Sequence, residues 1–399
     1  MLSTEKIVEI ADQYGTPLYI LDKEHLTDRI GSIKNILGDG ITLCYAMKAN
    51  PFLVDAFKSL DTKYEVCSPG EFAICEREKV DMKDIVLSGV NKEKADICHV
   101  MDECGGVGVY TVESLEQYEL LSDCAAEREL KINVLLRVTS GNQFGLDEED
   151  IKLIIKHRDS HPYIHILGLQ CYTGTQKKKF DIIKGEIEWL DGLCDILYSE
   201  YGFKAEELEY GPGLPVAYFG DAAYENNFDM LYELAELLKG YKDKYHITLE
   251  MGRYLAADCG VYVTGIADIK ANKGQQYVIV DGGINHVNYY GQTMAMKVPA
   301  YSYVKSDGIV VKDRNVSDTL TGALCTVADL IVKNLPIGRP QKGDKIIFYN
   351  IGAYSITEGI YLFLSRKMPV ITAYNKDGRV ELYRDVVASD EINSRINVR

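Results

Sequence analysis

Short apolar runs alternate with longer amphipathic stretches through the first two-thirds of the chain. The runs Ile41–Met47, Lys63–Val66, Ile85–Ser88, Val107–Tyr110, Asn133–Val138, His165–Cys171, Glu207–Tyr210 and His246–Glu250 have the length and apolar content of strands. Their starts lie 22 to 42 residues apart, the distance taken up by a strand, a crossover helix and two loops. Between them, stretches such as Glu148–Arg158, Asp181–Tyr198 and Tyr224–Leu238 carry apolar residues at helical spacing. Eight such units predict an α/β fold, a closed (β/α)8 barrel, with an open doubly wound sheet as the competing topology.

From Val261 the texture changes. VYVTGIADIK, QYVIVDGG, DGIVVKD, DKIIFYN and RVELYRDV are β-rich runs punctuated by Gly and Asp. They predict a boundary near Tyr254–Gly260, with the barrel over residues 20–256 and a mostly antiparallel C-terminal β domain over 257–399.

Composition narrows the function classes. The 399 residues are 46% hydrophobic and 26% charged, enough for a large core without a disulfide or metal staple. Forty-four basic against 60 acidic residues give a net charge of −16, which argues against a nucleic-acid partner. Apolar runs such as Ile360–Leu364 fall far short of a membrane span. The N-terminal MLSTEKIVEIADQYG has no apolar signal core. Ten scattered cysteines without a C-x-x-C pair fit a cytoplasmic protein with no metal site. His157, His161 and His165, interrupted by Pro162, read as a polar helix end and loop.

In such a barrel, chemistry collects at the C-terminal strand ends. Read in order, those ends present Lys48, Glu65, Ser88-Gly89, Tyr110, Arg137, then Cys171, Tyr172, Gly174 and Thr175, then Gly211-Pro212-Gly213, and last Glu250, Gly252 and Arg253. Singly, each has an ordinary reading: a surface lysine, a plain turn, a surface ion pair of Glu250 with Arg253. Lys48 departs from it because the run before it is almost wholly apolar, which predicts enclosure, a lowered pKa and a carbonyl nucleophile able to form a Schiff base. Together the residues are compatible with a phosphorylated aldehyde cofactor.

YAMKAN, EMGRYLAADCG, GALCTVADLI and NIGAYS then give a specific likeness. The chain resembles the fold-type III decarboxylases dependent on pyridoxal 5′-phosphate (PLP), the group holding diaminopimelate, ornithine and arginine decarboxylases. The resemblance implies an alanine-racemase-like PLP barrel, a β domain joined by residues 1–19, and a homodimer whose active sites draw on both subunits. It implies Lys48 as the cofactor lysine and Glu250 as the partner of the pyridine nitrogen. Gly211, Gly213, Gly252 and Arg253 match the phosphate end, Glu65 and Arg137 are further cofactor contacts, and Tyr354 reaches the phosphate. Cys325 matches a cysteine reaching across the dimer; either it or Lys48 would return the proton to Cα, and the sequence does not choose between them.

Departures from the family pattern bear on substrate. H-F-H-x-G-S becomes Gln170–Thr175, so Tyr172 replaces a stacking histidine while Thr175 keeps a hydroxyl. G-G-G-x-G reads Gly211-Pro212-Gly213-Leu214-Pro215, two backbone donors fewer. The C-E-S of diaminopimelate decarboxylases reads Cys325-Thr326-Val327. A buried distal ammonium without that carboxylate loses roughly 2–5 kcal/mol, which disfavours diaminopimelate. The C-T-x-x-D and G-T-Q patterns look more like divergent branches, some of which decarboxylate aminoacyl groups tethered to carrier proteins. Thr326, Asp329, Tyr289, Tyr290 and Glu358 are candidates for the distal pocket. The expectation is a cytoplasmic, homodimeric PLP-dependent amino-acid decarboxylase acting on a small substrate, free or carrier-bound, without nucleic-acid or membrane partners. A racemase (disfavoured by Glu250), a catalytically silent regulator and a barrel metalloenzyme or hydrolase are the alternatives.

Overall fold

The computed structural model describes residues 2–225, 227–312 and 315–395. These form two compact units. One comprises Ile30–Pro215 and Phe228–Tyr254; the other comprises the described residues up to Arg29, those of 216–227 and those from Leu255 onward. In chain order β1 (Leu18–Asp22) precedes the barrel strands β2 (Ile41–Ala46), β3 (Lys63–Val66), β4 (Ile85–Leu87), β5 (Val109–Val112), β6 (Ile132–Arg137), β7 (Ile164–Tyr172), β8 (Glu207–Gly211) and β9 (His246–Met251).

Strands β2 to β9 close into a parallel barrel, β9 pairing back onto β2 with Cys44 opposite Glu250. The strands are largely buried, but the inner faces of β3, β8 and β9 carry charged residues, among them Lys63, Glu65, Glu207 and Glu250. Inside, Cys44, Val86, Val109 and Leu135 pack with Leu167 as an apolar plug. A register shift in β7, where Val134 pairs Ile166 but Leu135 pairs Gly168, rephases that strand. Leu167 therefore faces the plug while Gln170, three residues on, also faces the lumen and bonds Glu250 across it. Gly168 is needed at the shift: a Cβ there would lie 1.9 Å from the Glu207 carbonyl oxygen.

Two βα turns are pinned by helix caps. Ser68 Oγ accepts from Glu71 N (3.2 Å), and Glu71 Oε2 accepts in return from Cys67 N (2.7 Å). Ser114 and Gln117 repeat this, Gln117 Oε1 accepting from Glu113 N (3.0 Å). Each reciprocal cap satisfies orphan donors and fixes a residue at a strand end. The helix Glu148–His157 stops before Pro162, leaving His161 in a loop and His165 exposed on β7.

The second unit holds β1 with β10 (Gly260–Asn272), β11 (Gln275–Val280), β12 (Tyr301–Val304), β13 (Ser317–Thr321), β14 (Leu330–Pro336), β15 (Lys345–Phe348), β16 (Val370–Tyr374) and β17 (Val380–Arg384). The sheet order is β14-β13-β11-β10-β1-β16-β17, with β15 joining β10 to β12. Most pairs are antiparallel; β1–β16 and β11–β13 are parallel. The helix Thr4–Tyr14 packs Ile7, Ile10 and Ala11 against Leu18, Ile20, Val261, Val263 and Ile347. The N-terminal share of this unit runs to Arg29 rather than residue 19, because β1 is a strand of its sheet and not of the barrel, and residues 216–227 also belong to it.

Gly168→Ala is expected to destabilise by about 3 kcal/mol, since backbone must move to seat the methyl group. Gly185→Ala, in the helix Phe180–Tyr201 with open space at its Cβ, is expected to stabilise by about 0.5–1 kcal/mol. Urea melts of the two variants check the contrast, and equal shifts would refute it.

Candidate active site

Lys48 lies in the single 3-10 turn Met47–Ala49 that follows β2. Asn50 ends the turn: its Oδ1 accepts from Phe52 N (3.1 Å), and its carbonyl accepts from the buried Tyr45 hydroxyl (2.9 Å). The chain is thereby held so that Lys48 Nζ reaches Glu65 Oε2 at 2.7 Å and Oε1 at 3.0 Å. Glu250 Oε1 and Cys67 Sγ each lie 3.7 Å from the same nitrogen. Gly252 permits this approach of β9 to β2, because a Cβ there would meet Ala49 Cβ at 2.8 Å and Ala46 O at 2.9 Å.

The electrostatics follow from this crowding. Burial alone would push the Lys48 ammonium down, but the charges of Glu65, Cys67 and Glu250 outweigh it and hold the amine well above its ordinary range. This corrects the sequence-based expectation of a lowered pKa: the apolar run does enclose the lysine, yet two carboxylates share the enclosure. The side chain remains 39% exposed, so solvent tempers both effects. Glu65, almost fully buried, would be raised by burial, but Lys48 holds it below the usual carboxylate range. Glu250 goes the other way, pushed up to about 7 by burial and then by the Glu65 charge. Gln170 Nε2 donates to Glu250 Oε2 (2.8 Å) and fixes its plane. Lys48 is an ion-pair partner of Glu250, at 3.7 Å.

Arg137, at the end of β6, pairs with Glu113 at 3.0 Å and lies over the Phe144 ring. Beside them Lys92 donates to Gly89 O (2.8 Å) and Gln117 Oε1 (3.1 Å), and burial lowers its amine to about 8. Tyr172, half-buried, closes β7; its ring packs so tightly on Gly211 that a Cβ there would come within 2.5 Å. Gly213, at φ +61, packs under Gly174, whose carbonyl oxygen would lie 2.1 Å from a Cβ. Lys177 N donates to Gly213 O (2.9 Å). Behind this loop Lys177 Nζ (2.6 Å) and Thr173 Oγ1 (2.5 Å) donate to Glu186, and the Tyr210 hydroxyl bonds the same carboxylate. An open groove of about 610 Å³ adjoins it, lined by Thr139, Ser140, Thr173, Gly174, Thr175 and Trp189 among others.

In the second unit Cys325 is exposed and Thr326 Oγ1 accepts from Ala328 N (3.3 Å). Asp329 is 3% exposed and braces two loops, accepting from Ile284 N (2.9 Å) and Leu324 N (2.6 Å). Both bonds use its carboxylate to hold backbone N–H groups. Tyr289 and Glu358 line a cavity of about 310 Å³ in this unit, whereas Tyr290 is 51% exposed. Tyr354 has φ +70 and ψ −51, a sparsely populated conformation for a non-glycine residue.

Sequence reading missed Cys67, Lys92, Glu113 and Glu209, and treated Gln170 only as part of a motif. Cys67 was legible as the next inner position after Lys63 and Glu65. Glu113 was not, because β5 runs two residues beyond the expected end at Tyr110.

The barrel mouth thus offers an amine, a carboxylate poised near neutrality, a glycine-lined loop with a nearby hydroxyl, and a buried Gln170 Oε1 with no protein partner. This donor set fits pyridoxal 5′-phosphate. The family described as pyridoxal-dependent decarboxylase, pyridoxal binding domain, matches residues 23–257. The chain is 26% identical over 421 aligned positions to an L-glutamyl-[BtrI acyl-carrier protein] decarboxylase of Niallia circulans, covering 98% of this chain and 96% of that one. It is 25% identical over 419 positions to a diaminopimelate decarboxylase of Methanocaldococcus jannaschii, covering 96% and 93%. The solved structure of diaminopimelate decarboxylase from M. jannaschii with L-lysine matches at TM-score 0.85, 23% identity and 98% and 94% coverage. A lysine/ornithine decarboxylase of Vibrio vulnificus with putrescine matches at TM-score 0.77, 23% identity and 94% and 99% coverage. These structural likenesses speak for the fold. The family match spans the whole barrel, and on it the chain belongs to the pyridoxal-dependent decarboxylases, with pyridoxal 5′-phosphate as its cofactor.

Proposed function

We propose that the protein removes the α-carboxylate of an amino acid, with Lys48 as the residue that holds the cofactor. The observation that carries this is the Lys48 amine set between Glu65 (2.7 Å) and Glu250 (3.7 Å) at the barrel mouth. When bound, the cofactor supplies an aldehyde for the amine and a ring that draws electrons from the substrate Cα. Glu65 takes and returns the Nζ proton as the amine is used and regenerated. Glu250, oriented by Gln170, would hold the ring nitrogen of the bound cofactor, and its negative charge would favour the protonated ring, which weighs against the racemase reading. The Gly211–Gly213 loop, Gly252, Arg253 and Thr175 serve the phosphate, while Pro212 and Pro215 offer no N–H. Tyr172 would cover a face of the cofactor ring, and Arg137 is held in place by Glu113. Likeness to the family supports Tyr354 as a phosphate contact, Cys325 as the group that handles the Cα proton, and a homodimer. The exposed thiol and the neighbouring Val327, 96% exposed, are consistent with a loop covered by a second copy.

A more specific reading has its own support. Thr326 stands where a distal ammonium would need a carboxylate, and the Niallia circulans relative is named for a carrier-bound glutamyl substrate. We therefore favour an aminoacyl group on a carrier protein, with no free amine at its far end, over diaminopimelate.

Lys48→Ala is expected to cut CO2 release by at least about 10³-fold and to lose cofactor fixable by borohydride; full turnover would overturn the assignment. In the cofactor-free enzyme, aldehyde capture should not rise through about pH 7, where Glu250 ionises and tightens the hold on the Lys48 ammonium, and should rise only in alkali as Lys48 sheds its proton. Glu65→Gln removes the charge that opposes burial, so the Lys48 step should fall by at least about one pH unit; an unmoved profile would exclude Glu65 from that role. Mass spectrometry with carrier-bound and free amino acids should show a preference of about 10²-fold or more in kcat/KM for the tethered form, and equal turnover would favour a free substrate.

A further inference from the structure

Glu209 lies on β8 two residues before Gly211, is fully buried, and has no hydrogen-bond partner at either carboxyl oxygen among the described residues. Such groups are rare in folded proteins and call for a cause. Strand alternation puts Glu209 on the inner face with Glu207, whose Oε1 takes Lys63 Nζ (3.0 Å) from β3 across the lumen and Thr248 Oγ1 (2.7 Å) from β9. The β8–β9 register sets Glu209 opposite Thr248, one inner position below Glu250. The titratable groups around it are Glu207 on its own strand, Lys63 and Glu65 from β3, Glu250 from β9 and the Cys44 thiol from β2. Lys63 is engaged by Glu207 and Lys48 by Glu65, so neither cation is hydrogen-bonded to Glu209. Burial, followed by the charges of Glu250 and Glu207, pushes its carboxyl far above the usual range.

We propose that Glu209 is a neutral carboxylic acid that acts as a positioning residue, its retained proton leaving Glu250 as the one anion of this β8–β9 pair offered to the cofactor ring nitrogen. This rests on the role of Glu250 proposed above. Two nearby carboxyls titrate as a pair, the first proton leaving far more easily than the second. The first loss falls on Glu250 and the second, at much higher pH, on Glu209. Through the neutral range the Glu209–Glu250 pair therefore carries a single negative charge, while the other inner-wall anions, Glu65 and Glu207, are each paired with a lysine.

Infrared difference spectra of the cofactor-free protein, wild type minus Glu209→Gln, test the protonation directly. The carbonyl stretch of a carboxylic acid without hydrogen bonds is expected in the wild type from pH 6 to 9 and is lost in the variant; no such band would overturn the proposal. Absorbance titration of the cofactor-loaded protein tests the coupling. Glu209→Gln exchanges neutral for neutral, so the neutral-range midpoint should hold within about 0.3 unit, while an alkaline transition of the wild type disappears. A midpoint lowered by about one unit or more would mean that Glu209 is charged and refute the proposal. An unchanged alkaline transition would refute the coupling. If Glu209→Gln does not fold, Glu209→Met, also neutral, is read in the same way. Should Glu250→Gln leave the titration unaltered, the role of Glu250 fails instead, whatever the infrared band shows.

Discussion

A closed parallel barrel buries its inner wall, and a charged group there is costly unless another group answers it. Lys48 meets this constraint through Glu65 and Glu250, which overcome the cost of burying its ammonium. Lower in the barrel Lys63 meets it through Glu207. Breaking one partner of such a pair leaves an uncompensated buried charge, which costs far more than the pair contributes. The consequence is a site whose proton inventory is set by geometry: Glu65 stays ionised, Glu250 sits near neutrality, and Lys48 keeps its proton until chemistry removes it.

Precision at the barrel mouth comes from backbone devices. The reciprocal caps at Ser68/Glu71 and Ser114/Gln117 hold the N–H groups of Cys67 and Glu113, the two residues that flank Glu65 and Arg137. At the opposite side, Gly211 and Gly213 accept contacts with Tyr172 and Gly174 that no side chain would allow. The two prolines of that loop remove donors, yet its position is secured from behind by the buried Lys177–Glu186–Tyr210 cluster. Rigid loops on a rigid barrel are what a site needs to hold a reacting group within a fraction of an ångström.

Chemistry and specificity are carried by different parts of the sequence. The barrel residues that would hold and activate the cofactor suit any α-amino acid, because the bond broken is common to all. In the reading proposed above, discrimination would fall on the far end of the substrate, where the sequence has Thr326 in place of the carboxylate of diaminopimelate decarboxylases. A single missing charge at a buried position discriminates by several kcal/mol, which is why that substitution weighs more than the overall likeness to diaminopimelate decarboxylases.

The periodicity of the chain by itself determined the eight strands, most of them placed within a residue or two, and the β-rich second unit. It also determined that Lys48, Glu65, Arg137, Tyr172 and Glu250 stand at strand ends, since apolar runs and their terminal polar residues are local properties. Tertiary structure alone decided which of them meet. The one-residue register shift in β7 brought Gln170 to Glu250, two further residues on β5 brought Glu113 to Arg137, and barrel closure placed Glu250 beside Lys48, some two hundred positions away. Whether Lys48 was an easily deprotonated amine or a firmly held ammonium depended on those meetings. Burial can be inferred from neighbours in sequence, but compensating charge arrives across the lumen from strands whose registers no local pattern encodes.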